Sequence, residues 1–548
     1  NVAAGYNALG GNTTADDNTA IGYRALQANT TGDWNVSIGS ESADANTTGS
    51  NQVAIGGRAL TSNTTGNFNT AFGYGALRYN TTASENTAVG KDALSANTTG
   101  TRNVAMGHET LDANTTGSYN TAIGQRALTV NTTADSNTGI GYSALYNTST
   151  GADNTAVGRS ALQENATGHS NTAVGKSALD ANTTGHSLTA IGESALGSNT
   201  TANHNVAVGR EALAANTTAA DGVAVGREAM KSNTTGGSNT ALGKSALMDN
   251  TTGLYNTAVG WQCLANNTTG YWNVAMGYSA GISLTTGYQN VAIGYQAFDA
   301  ATTAPFAVAI GSKACSALTD GAYNSGVGYN SLNACTTGTG NQGFGAHTLT
   351  AVTDGDYNIG VGYGCMNKIT TGTNNLGIGK ESGRTGSPSG EVTTADNIAV
   401  IGNNDTANLY CADTSISSSD RRDKADIENF TAGLSFVNQM RPVTYRWDKR
   451  SWYAGDNPTS QDILDAVPDG THKRTKQNIG FISQEVQVLE QEIGFATSKD
   501  NELICNTNED STAMGLKYER LVPILVNAIK ELSAENEALS ARITTLEG

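Results

Sequence analysis

Apolar side chains along residues 1–379 recur in a fixed frame of 17 residues, a spacing that suits short strands and not the 3.6-residue turn of a helix. One unit reads NTAIGYRALQANTTGDW (residues 18–34). Positions 2 and 4 of the unit, Val or Thr and then Ile, Val, Met or Leu, share one strand face by two-residue alternation. Position 5 is glycine at Gly5, Gly22, Gly39 and every seventeenth residue to Gly379, 23 glycines in one unbroken frame. Glycine there implies a bend with positive φ or a close backbone approach. Position 9 is Leu in most units (Leu26, Leu60, Leu77, Leu94, Leu111) and supplies a second inward side chain beyond the bend. Such a period, held without insertion, predicts a parallel β-solenoid with one coil per unit, each stacked on its neighbours. At ~4.8 Å per coil, the 22 coils make a shaft on the order of 100 Å long.

Position 3, on the opposite strand face from 2 and 4, is nearly always Ala or Gly. A solvent-facing position varies, so another backbone is expected to pack there. We read it as an inter-subunit contact, which favours a homotrimer of three parallel coils. Position 12 carries Asn in most of the first sixteen coils (Asn12, Asn29, Asn46, Asn250, Asn267), then Leu284, Ala301, Leu318, Cys335, Val352 and Ile369. That substitution pattern marks a buried site, where stacked amides hydrogen-bond along the rod and hold register between coils. The Asn-Thr-Thr triplets match the glycosylation acceptor pattern, but their fixed internal place argues for the ladder, and no glycans are expected. Positions 6, 7, 10, 16 and 17 vary and predict the solvent face. Several hold aromatics: Tyr23, Tyr74, Tyr142 and Tyr278 at position 6, and Trp34, Phe68, Tyr119, Tyr255 and Trp272 at position 17. Such rings either cover neighbouring apolar atoms or stack on cell-surface sugars.

After Gly379 a Gly-, Ser- and Pro-rich stretch, Glu381 to Gly390, breaks the frame, and a strand-like segment returns at Asn397–Gly402, read as five residues out of register. The insertion is expected to be a loop at the distal end of the shaft. Residues 381–412 are the first candidate for receptor contact and the exposed aromatics the second; a simple cap on the last coil's open edge is the plainer alternative.

From Ser419 charged residues become frequent, Gly thins out and helical patterns replace the coil frame. The predicted organisation is a solenoid shaft over 1–379 with a sub-boundary near 273–284, a distal cap over 380–418, and a separate domain over 419–548 ending in a helix over 518–547. That helix places Val522, Ile529, Asn536 and Ile543 at one heptad position and Leu525, Leu532, Leu539 and Leu546 at the other, a coiled-coil seam. In isolated peptides this pattern favours two strands; we assign three, because the seam is only about four heptads long and the coils call for a trimer. Pro523 falls in or just before the first turn, where it is tolerated.

Composition removes several functions. A net charge of −17 with no basic patch argues against nucleic acid or an anionic membrane surface as partner. No run of eighteen apolar residues and no secretory h-region appears. The chain lacks an initiator Met and begins in phase with a repeat, as expected of a fragment without its N-terminal attachment region. Six cysteines (Cys263, Cys315, Cys335, Cys365, Cys411, Cys505) form no CxxC pair and are expected to be free thiols. His108, His169, His186 and His204 sit at variable coil positions, so neither a metal nor a cofactor is expected. No carboxylate pair repeats along the rod to suggest a glycosidase of the two-carboxylate kind.

The segment SDRRDKADI (Ser419–Ile427) resembles the Ser-Asp-x-Arg-x-Lys-x-x-Ile signature that opens the C-terminal intramolecular chaperone domain of endosialidase-type phage tailspikes and fibres. RPVTYRW (Arg441–Trp447), GFISQEV (Gly480–Val486) and a terminal helix preceded by Leu516-Lys517-Tyr518 extend the resemblance over the last 130 residues. It implies that Ser419 attacks the peptide bond on its own N-terminal side, cutting between Ser418 and Ser419, with Lys424 as general base. Covalent geometry already holds the Ser419 hydroxyl near the preceding carbonyl, so what remains is to remove its proton and stabilise the oxyanion. A lysine serves as base only if burial or a nearby cation lowers its pKa, and Arg421 and Arg422 are candidates for that cation. Asp420 selects Ser419 from the run Ser417–Ser419 as nucleophile. Alternatively, Ser-Asp here is a helix N-cap and Lys424 a solvated charge. His472, the one histidine of this module, has nothing around it to suggest serine activation.

The coils resemble the head repeats of YadA-like trimeric adhesins, which implies a left-handed parallel β-roll, although those repeats are usually shorter than 17 residues. Three identical chains must align in register, and a slip of one coil looks locally almost as good. A C-terminal clamp that trimerises first solves this, and its self-removal leaves the shaft kinetically trapped. The resemblances together imply a virion tail fibre or tailspike that contacts a host cell-surface receptor, of glycan type, and joins other tail proteins through its N-terminal region. The rivals are a bacterial trimeric surface adhesin, a polysaccharide depolymerase with a site between subunits, and an ice-binding solenoid using Thr14, Thr31 and Thr65.

Overall fold

The computed structural model describes residues 1–406, 421, 424–455, 458–508 and 510–547, and divides into two compact units, 1–323 and 324–548. The first unit is a parallel β-solenoid. Its strands β1 (Val2–Ala4) to β19 (Val308–Ile310) are three residues long, one per 17-residue coil. Each pairs in parallel with the strand of the next coil, Val2 opposite Thr19 and Val36 opposite Val53.

The glycine frame has the cause expected of it, twice over. Gly192 has φ +137°, and a Cβ there would lie 2.5 Å from the Gly209 carbonyl oxygen of the next coil. The conformation is one that L side chains rarely adopt, and the stacked backbones leave no room for one. Three further positions per coil, 7, 9 and 17, take left-handed backbone without glycine, as at Arg24 (φ 58°), Leu26 (φ 54°) and Trp34 (φ 57°). Each such residue costs roughly 1 kcal/mol. Neighbouring coils hold them in place, since Arg24 N donates to Tyr6 O (2.8 Å) and Leu26 N to Ser42 O (3.0 Å).

The strand faces are the reverse of the sequence expectation. Position 3 points inward within a single chain: Ala20, Ala54 and Ala71 are fully buried, so this position is no inter-subunit contact. A Cβ added at Gly139, also position 3, would touch Leu128 Cδ1 at 3.3 Å. Position 9 fills most coils with Leu, leaving the facing strand room only for a small side chain, Ala or Gly in nearly every coil and Ser37 where position 9 is Ala43. Positions 2 and 4 therefore face outward, and Ile21, Phe72, Met106, Ile191 and Val225 form an exposed apolar ridge, with Phe72 53% accessible.

The interior holds two amide ladders. At position 12, Asn46 Nδ2 donates to Asn29 Oδ1 (2.9 Å) and to Gly49 O (2.9 Å), as expected from the substitution pattern. The second ladder, at position 1, was not foreseen. There Asn35 N donates to Asn18 Oδ1 of the preceding coil (2.9 Å) while Asn35 Nδ2 donates to Gly49 O (3.0 Å). Buried amides are tolerated where their polar atoms find partners above and below; Asn267, at the end of the position-12 ladder, is an exception, with both its side-chain amide atoms buried and unpaired among the described residues.

In the second unit β20 (Ser325–Val327) to β24 (Ala399–Ile401) continue the coil pattern. Leu376 of β23 (Leu376–Ile378) pairs with Ala399, a step of 23 residues, so the insertion is six residues and not five. It is a loop closed at its base by Val392 N donating to Gly383 O (3.0 Å), and Val392 is buried where position 12 would fall. The C-terminal module contains helices α1 (Leu434–Gln439), α2 (Ser460–Asp465), α3 (Ser483–Glu492) and α4 (Leu521–Glu547). Its strands are β25 (Val443–Tyr445), β26 (Asn478–Gly480), β27 (Cys505–Thr507) and β28 (Met514–Leu516). Phe436, Val486, Ile504, Cys505, Leu521 and Ile524 make its core. The terminal helix starts at Leu521, three residues later than expected, because Tyr518–Arg520 form a 3₁₀ turn; Pro523 lies in its first turn.

Candidate functional site

Three of the four C-terminal motifs meet in space. RPVTYRW forms β25 and pairs antiparallel with β26, Val443 opposite Gly480 and Tyr445 opposite Asn478, so it lies against the start of GFISQEV. The Arg441 guanidinium binds the Glu485 carboxylate, Nε to Oε2 at 3.2 Å with a second bond from NH2 to Oε1, tying the two motifs together. Phe481 N donates to the Tyr518 hydroxyl (3.2 Å), which adds the motif before the terminal helix. Glu490 of α3 is fully buried and accepts from three backbone N–H groups of the β27 segment, Leu503, Ile504 (2.8 Å) and Cys505 (2.9 Å). Burial, with Glu490 beside it, pushes the Cys505 thiol up to about 12. Cys263, Cys315, Cys335 and Cys365 are, like Cys505, buried free thiols; Cys411 lies outside the described residues.

Of the first motif, Ser418, Ser419, Asp420 and Arg422 lie outside the described residues. Arg421 and Lys424 are exposed, and Lys424 N donates to Arg421 O (3.3 Å). His472 packs edge-on against Tyr453 with centroids 4.7 Å apart.

Residues 419–494 match the family model of the chaperone of endosialidase. The chaperones of that family cleave themselves, and the match together with the β-solenoid fits an endosialidase-type tailspike with a C-terminal chaperone. Comparison with curated proteins gives no match. The matched span contains β25, β26 and all of α3, so the paired motifs are the framework of the chaperone module.

Two features of the chaperone module had no signal in the sequence. Lys449 looks like one charge in a solvated run, yet its side chain is drawn in between Trp447 (5.1 Å) and Trp452 (5.8 Å) and its Nζ donates to Asn404 O (3.1 Å). Burial holds it below the usual lysine range, with Asp405 partly restoring it. Asp510 accepts from Glu391 N (3.1 Å) and from the Ser460 hydroxyl (3.0 Å), linking the inserted loop to α2. Both residues join segments more than forty positions apart, which no local pattern reveals.

Proposed function

We propose that this chain is the structural and host-attachment shaft of a bacteriophage tail fibre or tailspike, assembled as a homotrimer by a C-terminal chaperone that cuts itself off between Ser418 and Ser419. The observation that carries the reading is the chaperone-family match at 419–494 directly after an in-register β-solenoid. In this reading Lys424 takes the proton from the Ser419 hydroxyl, and the oxygen attacks the Ser418 carbonyl carbon. The C–N bond breaks as the new amine of Ser419 is protonated, and water hydrolyses the ester left between the two residues. Arg421 and Arg422 support the step as the cations that lower the pKa of Lys424, and Asp420 marks Ser419 as the nucleophile.

Trimer assembly is supported by two exposed apolar surfaces. The position-4 ridge offers a second copy one large side chain per coil, and covering it contributes on the order of 1 kcal/mol per coil. On α4 the heptad residues Val522, Leu525, Ile529, Leu532, Leu539, Ile543 and Leu546 are all exposed, while Leu521, Ile524 and Ala528 face the module core. The reading further assigns the protein to the virion, with a host cell-surface receptor and other tail proteins as partners.

Intact mass of the purified chain beside Ser419→Ala and Lys424→Ala tests it. Two fragments meeting at Ser418/Ser419 in wild type, and one full-length chain in each variant, are expected. An uncut wild-type chain means that the dyad is inert and that the C-terminal module is a permanent tip.

A further inference from the structure

One stretch of the first unit differs from the rest of the coil surface. At positions 16 and 17 of five successive coils, Tyr255, Trp272, Tyr271, Tyr288, Phe306 and Tyr323 form a continuous row of rings. Centroids are 6.2 Å apart for Tyr255 and Trp272, 5.1 Å for Trp272 and Tyr271, and 4.9 Å for Tyr271 and Tyr288. The row continues at 5.2 Å from Tyr288 to Phe306 and 5.0 Å from Phe306 to Tyr323. It is a surface feature: Tyr255 is 54%, Trp272 51% and Tyr323 57% accessible. Near-parallel rings almost 5 Å apart are offset, since carbon atoms in contact approach to ~3.5 Å, so each leaves part of its face uncovered. The Tyr271–Trp272 and Tyr288–Phe306 steps are near-perpendicular, at 73° and 78°, which turns faces and edges alternately outward.

Charge distinguishes this row from the coils before it. Positions 16 and 17 carry Asp16, Asp17, Asp33, Glu85, Arg102, Asp135, Asp153 and Asp221 earlier in the chain, and no charged residue from Leu254 to Tyr323. In a protein of net charge −17, an uncharged strip of amphipathic rings suits neither nucleic acid nor an acidic polymer. It suits a ligand with apolar CH faces and hydroxyl rims. Successive coils repeat at ~4.8 Å, close to the length of one pyranose, so the row offers a stacking step for each sugar along the solenoid. We propose that this aromatic row binds an uncharged, linear glycan lying along the coils. The proposal rests on the reading of the solenoid as an attachment shaft and places the attachment site on its side.

Native electrophoresis of the full chain through gels containing a soluble β-glucan, a mannan or a dextran tests it, with hyaluronan as the charged control. Retardation by at least one neutral polymer and not by hyaluronan is expected. Trp272→Ala/Tyr288→Ala is expected to weaken it about tenfold, and Trp34→Ala, an exposed ring outside the row, to leave it unchanged. Absence of retardation by all three neutral polymers overturns the proposal, as does retardation undiminished in the double variant. A lower assembly mass for the double variant in sedimentation overturns it too, because the row is then a contact between copies. Failure of the underlying reading is seen separately: a wild type that cleaves itself and trimerises but is not retarded loses the glycan site alone, whereas a wild type that stays monomeric in sedimentation removes the trimeric shaft reading.

Discussion

Asp112 shows how a single side chain can work against the coil that holds it. Burial, with Glu109 next in effect, pushes its carboxyl up to about 6, and its Oδ1 is buried without a hydrogen-bond partner among the described residues. Between the usual carboxyl range and pH 6 the folded chain holds a proton that the unfolded chain has released. Stability therefore falls as pH rises through that window and stays low above it. Asp112→Asn is expected to raise the thermal midpoint at pH 7.5, by an amount equivalent to about 1 kcal/mol or less after solvent screening, and to have no effect at pH 4. Equal effects at both pH values in calorimetry would sink this account. Asp112 is unremarked in sequence, one of several acids at a variable position, because its burial depends on the coils stacked around it.

At the scale of the element, the amide ladders link one coil to the next. Asn182 Nδ2 donates to Asn165 Oδ1 (2.8 Å) and to Gly185 O (3.0 Å), and Asn182 Oδ1 accepts from Asn199 Nδ2 (2.9 Å). Asn182→Ala strands buried groups on both neighbouring coils, and a cost of about 2 kcal/mol is expected. Hydrogen exchange checks it: protection is expected to drop in the coils around residues 165–199 and to hold in distant ones, since solenoid coupling runs between neighbours. The position-12 ladder was legible because Asn there is later exchanged for Leu284, Leu318 and Ile369, which only a buried site accepts. The position-1 ladder is just as periodic, but an Asn ahead of a strand reads equally well as a turn residue.

For the whole molecule, the exposed ridge and the α4 seam make the same prediction. Full-length protein is expected to sediment as a trimer, and Ile529→Lys/Leu532→Lys to give monomers or aggregates, because it places charge in the seam where Ile529 is 66% accessible in the single chain. A monomeric wild type would rule out the homotrimer. Much of the architecture follows from the chain itself. A 17-residue frame with glycine at every bend admits only stacked coils, and the four ordered C-terminal motifs mark the chaperone module before any coordinates. The tertiary structure decided which face of each strand is inside. Two-residue alternation says only that positions 2 and 4 lie opposite position 3; the choice between them rests on how much space Leu at position 9 leaves across the coil, a distance set by residues that are not neighbours in sequence. The partners of Lys449, Glu490 and Asp510 were decided in the same way, by contacts between segments that only folding brings together.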